Sequence, residues 1–324
     1  MDHTRTTNVH PIHIANAAHT ESHLRQDLNY DDTVVLEPAN FCDCECWSYC
    51  LGCFFSIVVL LTIGGLCLLF APPLGLLIAA FAPGVVILLV TKRYYKLQVT
   101  NGQMTVSFLE TIMWMIPLLA WDLVWILAIA PQLKEGGLCA LCVLAYLLQA
   151  YFFAGFCEEV TKFIVISRIT NSALTTDWRA MMAYGICAGC GFATAENIAY
   201  VFSGGLPTAI VRAFVSVPLH CCTGAIIGLE ISKRRPIATN CESLAKVIWP
   251  VLLYPWLMHG TFDFLLMLGE GSHSSVGVLG FVGAVIVFAA GMIYCRMLSF
   301  RVRELEASYG RLKIDIHQRI EAGQ

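Results

Sequence analysis

Eight apolar stretches of about 20 residues follow one another along this chain, at 50–70, 73–91, 105–128, 138–167, 180–203, 207–231, 246–268 and 275–297. A helix rises about 1.5 Å per residue, so each stretch can cross the ~30 Å hydrocarbon core of a bilayer. Within lipid, every backbone N–H and C=O must be bonded inside the segment, and a helix does this alone. The expected fold is therefore all-α: a polytopic membrane helix bundle of about eight transmembrane helices over 49–298. Charged residues make up 13% of the chain, against about 25% in soluble domains. Pro72-Pro73 separates the first two stretches. The first forty residues carry no signal-peptide pattern, so insertion is expected to begin at the first membrane helix.

The links between stretches set an orientation. With the amino terminus in the cytoplasm, 17 of the 20 Lys and Arg fall on cytoplasmic segments. Lys162 lies near the cytoplasmic end of its helix, and only Lys134 and Arg212 fall on the far side. Cytoplasmic loops carry such an excess of positive residues, so both termini are expected on that side. Residues 1–48 read as a disordered tail, polar and without helical or strand period. It contains five of the nine histidines, at irregular spacing. Residues 299–324 read as a cytoplasmic helical tail, with Val302, Leu305, Leu312, Ile316 and Ile320 among mixed charges.

Of the 15 cysteines, most fall inside the apolar stretches, where Cys behaves as a small hydrophobe. Cys139–Cys142 and Cys187–Cys190 have CxxC spacing, but inside apolar helices a redox reading is weak. Cys42, Cys44, Cys46, Cys50 and Cys53 cluster at the mouth of the first stretch. Juxtamembrane cysteines of this kind are lipidation candidates; inert thiols are the plain alternative, and the run does not match a zinc-ribbon spacing.

Ionisable residues within the apolar stretches are the chemical signal. A charge near a bilayer centre costs from about 2.5 to more than 10 kcal/mol. Four groups occupy stretches four to seven: Glu158-Glu159-x-x-Lys162, Phe192-x-x-x-Glu196-Asn197, His220, and His259-x-x-x-Asp263. Lys162 can approach either Glu at i,i+3 or i,i+4. Adjacent residues point about 100° apart on a helix, so one Glu can face a central site while the other pairs with Lys162. Phe192 shares a face with Glu196, and His259 with Asp263. Counted from the cytoplasmic boundaries, Glu158, His220, His259 and Glu196 lie roughly 13, 16, 20 and 24 Å deep. They can meet in one layer near the middle of the membrane.

Such a set suits peptide hydrolysis: a Glu to take a proton from water and pass it on, and imidazoles to bind water or an oxyanion. Glu159, His220 and His259 also offer ligands for zinc or another divalent metal. HExxH and GxSxG are absent from the sequence. The residues alone leave direct and metal-assisted water activation both open.

These four motifs, in this order and each on its own stretch, resemble the PrsW family of intramembrane proteases, related to the CAAX-prenyl endopeptidases and bacteriocin-processing proteases. The resemblance covers about 105–298. It implies an α-helical, multi-pass membrane hydrolase that cuts a membrane-associated protein substrate, with the lipid bilayer as its other partner and no nucleic acid. By motif position it implies catalytic roles for Glu158, Glu159, Glu196, His220, His259 and Asp263, with Lys162 and Asn197 supporting. It implies that Glu158 and Glu159 supply the base and that Asp263 orients His259. Two other readings use the same residues: a proton-coupled transporter with a Glu/His/Asp relay, and a catalytically silent scaffold. EExxK occurs once, and HxxxD recurs only as His23-x-x-x-Asp27 in the polar tail, so no second copy in the apolar stretches marks the internal repeat common in transporters. Glu110, Asp122 and Arg212 are further charges in apolar stretches; Arg212 and Asp122 are expected to pair as a structural bridge outside the site.

Overall fold

The computed structural model describes residues 56–64, 71–135, 139–172, 177–234, 242–270 and 274–321. The amino-terminal tail, the five clustered cysteines from Cys42 to Cys53 and most of the first expected span lie outside the described residues. Among the described residues the regular structure is entirely helical. After α1 (56–64) come α2 (Pro72–Tyr94) and α3 (Asn101–Val124). A π turn, Trp125–Ile129, leads from α3 into α4 (Ala130–Glu135). The chain continues as α5 (Ala140–Leu147), a π segment (Leu148–Phe156) and α6 (Cys157–Ser172). Next are α7 (Trp178–Phe214), α8 (Ser216–Arg234), α9 (Glu242–Glu270) and α10 (Ser274–Glu321). Local chemistry sets several boundaries. Prolines open α2, where their missing N–H costs nothing. The Thr100 hydroxyl caps α3 by accepting from the Gln103 N–H at 3.3 Å.

Among the described residues, six helical stretches are long and apolar enough to cross a membrane. The protein is a multi-pass helical membrane bundle. One of the six, Trp178–Arg234, is 57 residues long and turns back on itself. Gly205 marks the reversal with φ 69° and ψ −162°, a conformation that costs glycine little and other residues much. On either side of it the backbones touch in antiparallel register. Added side-chain carbons on Gly185, Gly189 and Gly228 would run into the carbonyls of Gly224, His220 and Met181 respectively. Each step of four residues up one leg is a step of four down the other. Small residues allow this approach, and close packing of this kind drives helix association in lipid.

The first leg of this hairpin is the centre of the bundle. From Ala180 to Asn197 nearly every residue of α7 is buried, with α2, α3 and α8 packed around it. Leu89, Leu127, Leu141, Leu279 and Ile286 are exposed, as expected where the outer surface faces lipid. A second close approach joins the π segment to α9. A carbon added to Gly155 would lie 3.1 Å from the Gly260 nitrogen, and Trp256 Nε1 donates to the Tyr151 carbonyl at 2.5 Å. The helix α10 runs unbroken to Glu321. Glu306 Oε1 accepts from the Trp178 N–H at 3.1 Å, placing a carboxylate at the positive end of α7.

Candidate active site

The π segment Leu148–Phe156 ends two residues before Glu158. Single π turns inside α-helices widen the helix and re-aim the next turn, frequently at functional sites. Here, with the Gly155–Gly260 contact, the π segment sets Glu158 and Glu159 against His259 of α9. The two carboxylates then take different partners. Glu159 Oε1 lies 2.6 Å from Lys162 Nζ and 2.7 Å from His259 Nδ1. Lys162 is fully buried, and its Nζ also reaches His220 Nδ1 at 3.0 Å and Thr223 Oγ1 at 3.2 Å. The ammonium sits 4.9 Å from the centre of the Phe192 ring, a favourable face for a cation. Glu158 faces the two imidazoles instead. Its Oε2 is 3.7 Å from His259 Nε2 and 4.0 Å from His220 Nδ1.

Each imidazole is held from behind by a carboxylate. His259 Nδ1 meets Glu159, and its Nε2 is also 3.2 Å from Asp263 Oδ2. His220 Nε2 meets Glu196 Oε2 at 2.9 Å, and its ring stacks on Phe192 at 5.5 Å between centroids. The two imidazoles lie edge to face, 4.8 Å apart. Helical spacing puts Phe192 with Glu196 and His259 with Asp263 on common faces. The structure brings both pairs to the imidazoles.

The residues fit a divalent metal. Glu158, His220 and His259 each offer one ligand atom, all within 4.8 Å of one another. Glu158 Oε2 is buried with no hydrogen-bond partner, an arrangement costly for a carboxylate unless a cation or a proton meets it. One carboxylate and two imidazoles form a common zinc donor set, and carboxylates behind metal-binding histidines fix ring orientation. The sequence reading names Glu159, with His220 and His259, as the ligands, although spacing leaves either glutamate able to face the site. In the fold, Glu159 Oε1 is engaged by Lys162 and His259, and Glu158 is the carboxylate facing both rings.

Residues 72–291 match the model of a family described as PrsW family intramembrane metalloprotease. The chain belongs to this family. Proteins named Protease PrsW are similar over part of their length. That of Bacillus subtilis is 35% identical over 120 residues, covering 36% of this chain and 53% of the relative. That of Clostridioides difficile is 32% identical over 124 residues, covering 37% and 52%. The Geobacillus kaustophilus protein is 29% identical over 123 residues, covering 38% and 53%. The chain thus spans about half the length of the curated relatives it matches. No solved structure matches it.

The PrsW-family match begins with α2, and α2 supports the site from behind. Its Ala80 carbonyl accepts from Asn197 Nδ2 at 3.3 Å, and an added carbon on its Gly84 would run into Thr194. Asn197 carries on to Arg212, a residue that spacing puts outside the site. Arg212 Nε donates to Asn197 Oδ1 at 2.6 Å, and Nη2 to Glu196 Oε2 at 2.6 Å. Its guanidinium also lies 4.2 Å from the Tyr200 ring centre. The expected Arg212–Asp122 bridge is therefore corrected: the reversal at Gly205 sets Arg212 beside Glu196 and Asn197. Asp122 Oδ2 is buried without a hydrogen-bond partner. Glu110 pairs instead with Arg168, at 2.6 Å. Thr223 is a further site residue that the sequence motifs do not mark; its position one turn beyond His220 on a buried helix face is the available signal.

Arg212 thus holds Glu196, which holds His220. Arg212→Ala is expected to lower metal affinity by about 10–100-fold, the usual effect of removing an outer support of a ligand. Arg212→Lys is expected to recover only part, because an ammonium cannot reproduce the two-atom fork. Zinc titration of the three purified proteins checks this; unchanged affinity in Arg212→Ala would show that the contact does not position His220.

Proposed function

We propose that this chain is an intramembrane endopeptidase that hydrolyses a peptide bond of a membrane-associated protein. One observation carries the reading: a buried, unpartnered Glu158 carboxylate oxygen faces two imidazoles, each backed by another carboxylate. A scaffold gains nothing from a buried carboxylate oxygen left without a hydrogen bond, which costs on the order of 1–3 kcal/mol or more. Family membership supports the same reading.

Glu158, His220 and His259 would hold a divalent metal. When bound, it would supply Lewis acidity and lower the pKa of a bound water to about 7. The chain's own residues do the rest. Glu159 keeps His259 turned toward Glu158 through Nδ1, and Glu196 does the same for His220 through Nε2. Lys162 balances the charge of Glu159 and fixes its position. Glu159 Oε2, like Glu158 Oε2, is buried without a partner. It is the acceptor for the proton that water loses and the donor to the leaving amine. The positive-residue distribution supports an orientation with both termini on the cytoplasmic side.

Metal analysis tests this reading together with cleavage of a transmembrane peptide reporter in detergent. The purified protein is expected to carry about one divalent ion per chain, to lose cleavage on chelation and to regain it with zinc. Full cleavage by chelated, metal-free protein would overturn the metal assignment. Normal cleavage by the His220→Ala and His259→Ala variants would overturn the site itself.

A further inference from the structure

The pair Cys139–Cys142 lies apart from the site, at the start of α5. Its spacing suggests two cysteines inside an apolar helix. The structure places Cys139 before the helix, as its N-cap, and only Cys142 within it. Cys139 Sγ accepts from the Cys142 N–H at 3.2 Å, as a capping Ser or Thr oxygen would. The Cys142 thiol lies 3.9 Å from the Leu133 carbonyl, to which it donates. Among the described cysteines Cys139 is the exposed one, while Cys142 is buried against Trp125 and Tyr146. An exposed sulfur at a helix N-terminus with a shielded sulfur three residues on is the division of labour of a dithiol exchange site: one attacks, the other resolves. The pair also falls on the link that carries Lys134, opposite the Lys/Arg-rich links. Outside the cytoplasm disulfides persist.

We propose that Cys139 and Cys142 form a redox-active dithiol that exchanges with glutathione-type disulfides at the non-cytoplasmic rim of the bundle. The Cys139 thiolate attacks the S–S bond of glutathione disulfide. A mixed disulfide forms and one glutathione thiolate leaves. Cys142 gives up its proton and attacks Cys139 Sγ, displacing the second glutathione. The two protein thiols lose two electrons and two protons in total, and glutathione disulfide becomes two thiols. The closed bond ties the first turn of α5, the helical run that leads to Glu158.

The full-length protein in detergent is equilibrated with graded ratios of reduced and oxidised glutathione, acid-quenched, alkylated and read by peptide mass. In the wild type, both thiols are expected to disappear together as the mixture becomes oxidising and to return under reduced glutathione. Cys142→Ser is expected to stop at a Cys139–glutathione adduct. Cys139→Ser, whose new hydroxyl keeps the cap, is expected to leave Cys142 free. A wild-type pair that stays alkylatable at every ratio, or a Cys142→Ser protein with no adduct, would overturn the proposal. In intact cells a membrane-impermeant maleimide should reach Cys139 of Cys142→Ser without permeabilisation. Labelling only after permeabilisation would refute the assigned side.

Discussion

Replacing Glu158 with Gln is expected to cut reporter cleavage by about 10²–10⁴-fold while the protein still folds and inserts. The substitution keeps the side chain's shape and removes only its charge. Glu158 Oε2 makes no hydrogen bond, so nothing structural is lost with it. What is lost is the negative charge of the group that faces His220 and His259, at 4.0 and 3.7 Å. The variant should therefore melt within a few degrees of wild type yet neither retain metal nor cleave. Cleavage at the wild-type rate by well-folded Glu158→Gln would sink the functional reading. A variant that fails to fold would show that the carboxylate is structural.

Lys162→Met is expected to do the opposite and act first on stability. The ammonium is fully buried and is divided among Glu159, His220 and Thr223. Methionine fills the space but leaves the Glu159 charge uncompensated inside the bundle. Breaking a buried pair in this way costs about 3–5 kcal/mol, enough to remove much of the folded population of an ordinary domain. The companion Glu159→Gln/Lys162→Met removes both charges and is expected to recover most of the loss, as double-mutant cycles show for directly coupled partners. Thermal unfolding in detergent and steady-state abundance in membranes check both. If Lys162→Met melts like wild type, the Lys162 contacts to His220 and Thr223 do not hold α6 to α8. Neighbouring residues in one motif thus have separable tasks, and unfolding and cleavage measurements tell them apart.

Much of this was legible from the amino acids. Twenty-residue apolar runs can satisfy their own backbones in lipid only as helices, so the multi-pass bundle is a consequence of local chemistry. The cost of intramembrane charge marks Glu158, Glu159, Lys162, Glu196, His220, His259 and Asp263 as candidates, along with Glu110, Asp122 and Arg212, and the family resemblance narrows that set. Helical periodicity then pairs Phe192 with Glu196 and His259 with Asp263. Each of these inferences depends only on residues within a few turns of one another.

Three features depended on tertiary contact. Which of two adjacent glutamates faces the imidazoles was decided by the π segment and by the Gly155–Gly260 approach, since both glutamates can reach Lys162 by spacing. Cys139 became an exposed cap because the helix begins at Ala140, two residues inside the apolar stretch that starts at 138. Arg212 entered the site because Gly205 reverses the chain and lays one leg of the hairpin on the other; apolar length alone reads the same residues as passing from one span to the next. The sequence by itself determined the helices, their membrane setting and the inventory of buried charge, all of which arise from local backbone and solvation energies. The tertiary structure alone decided which charge meets which, because that depends on where two distant helices approach closely enough for a side chain to cross.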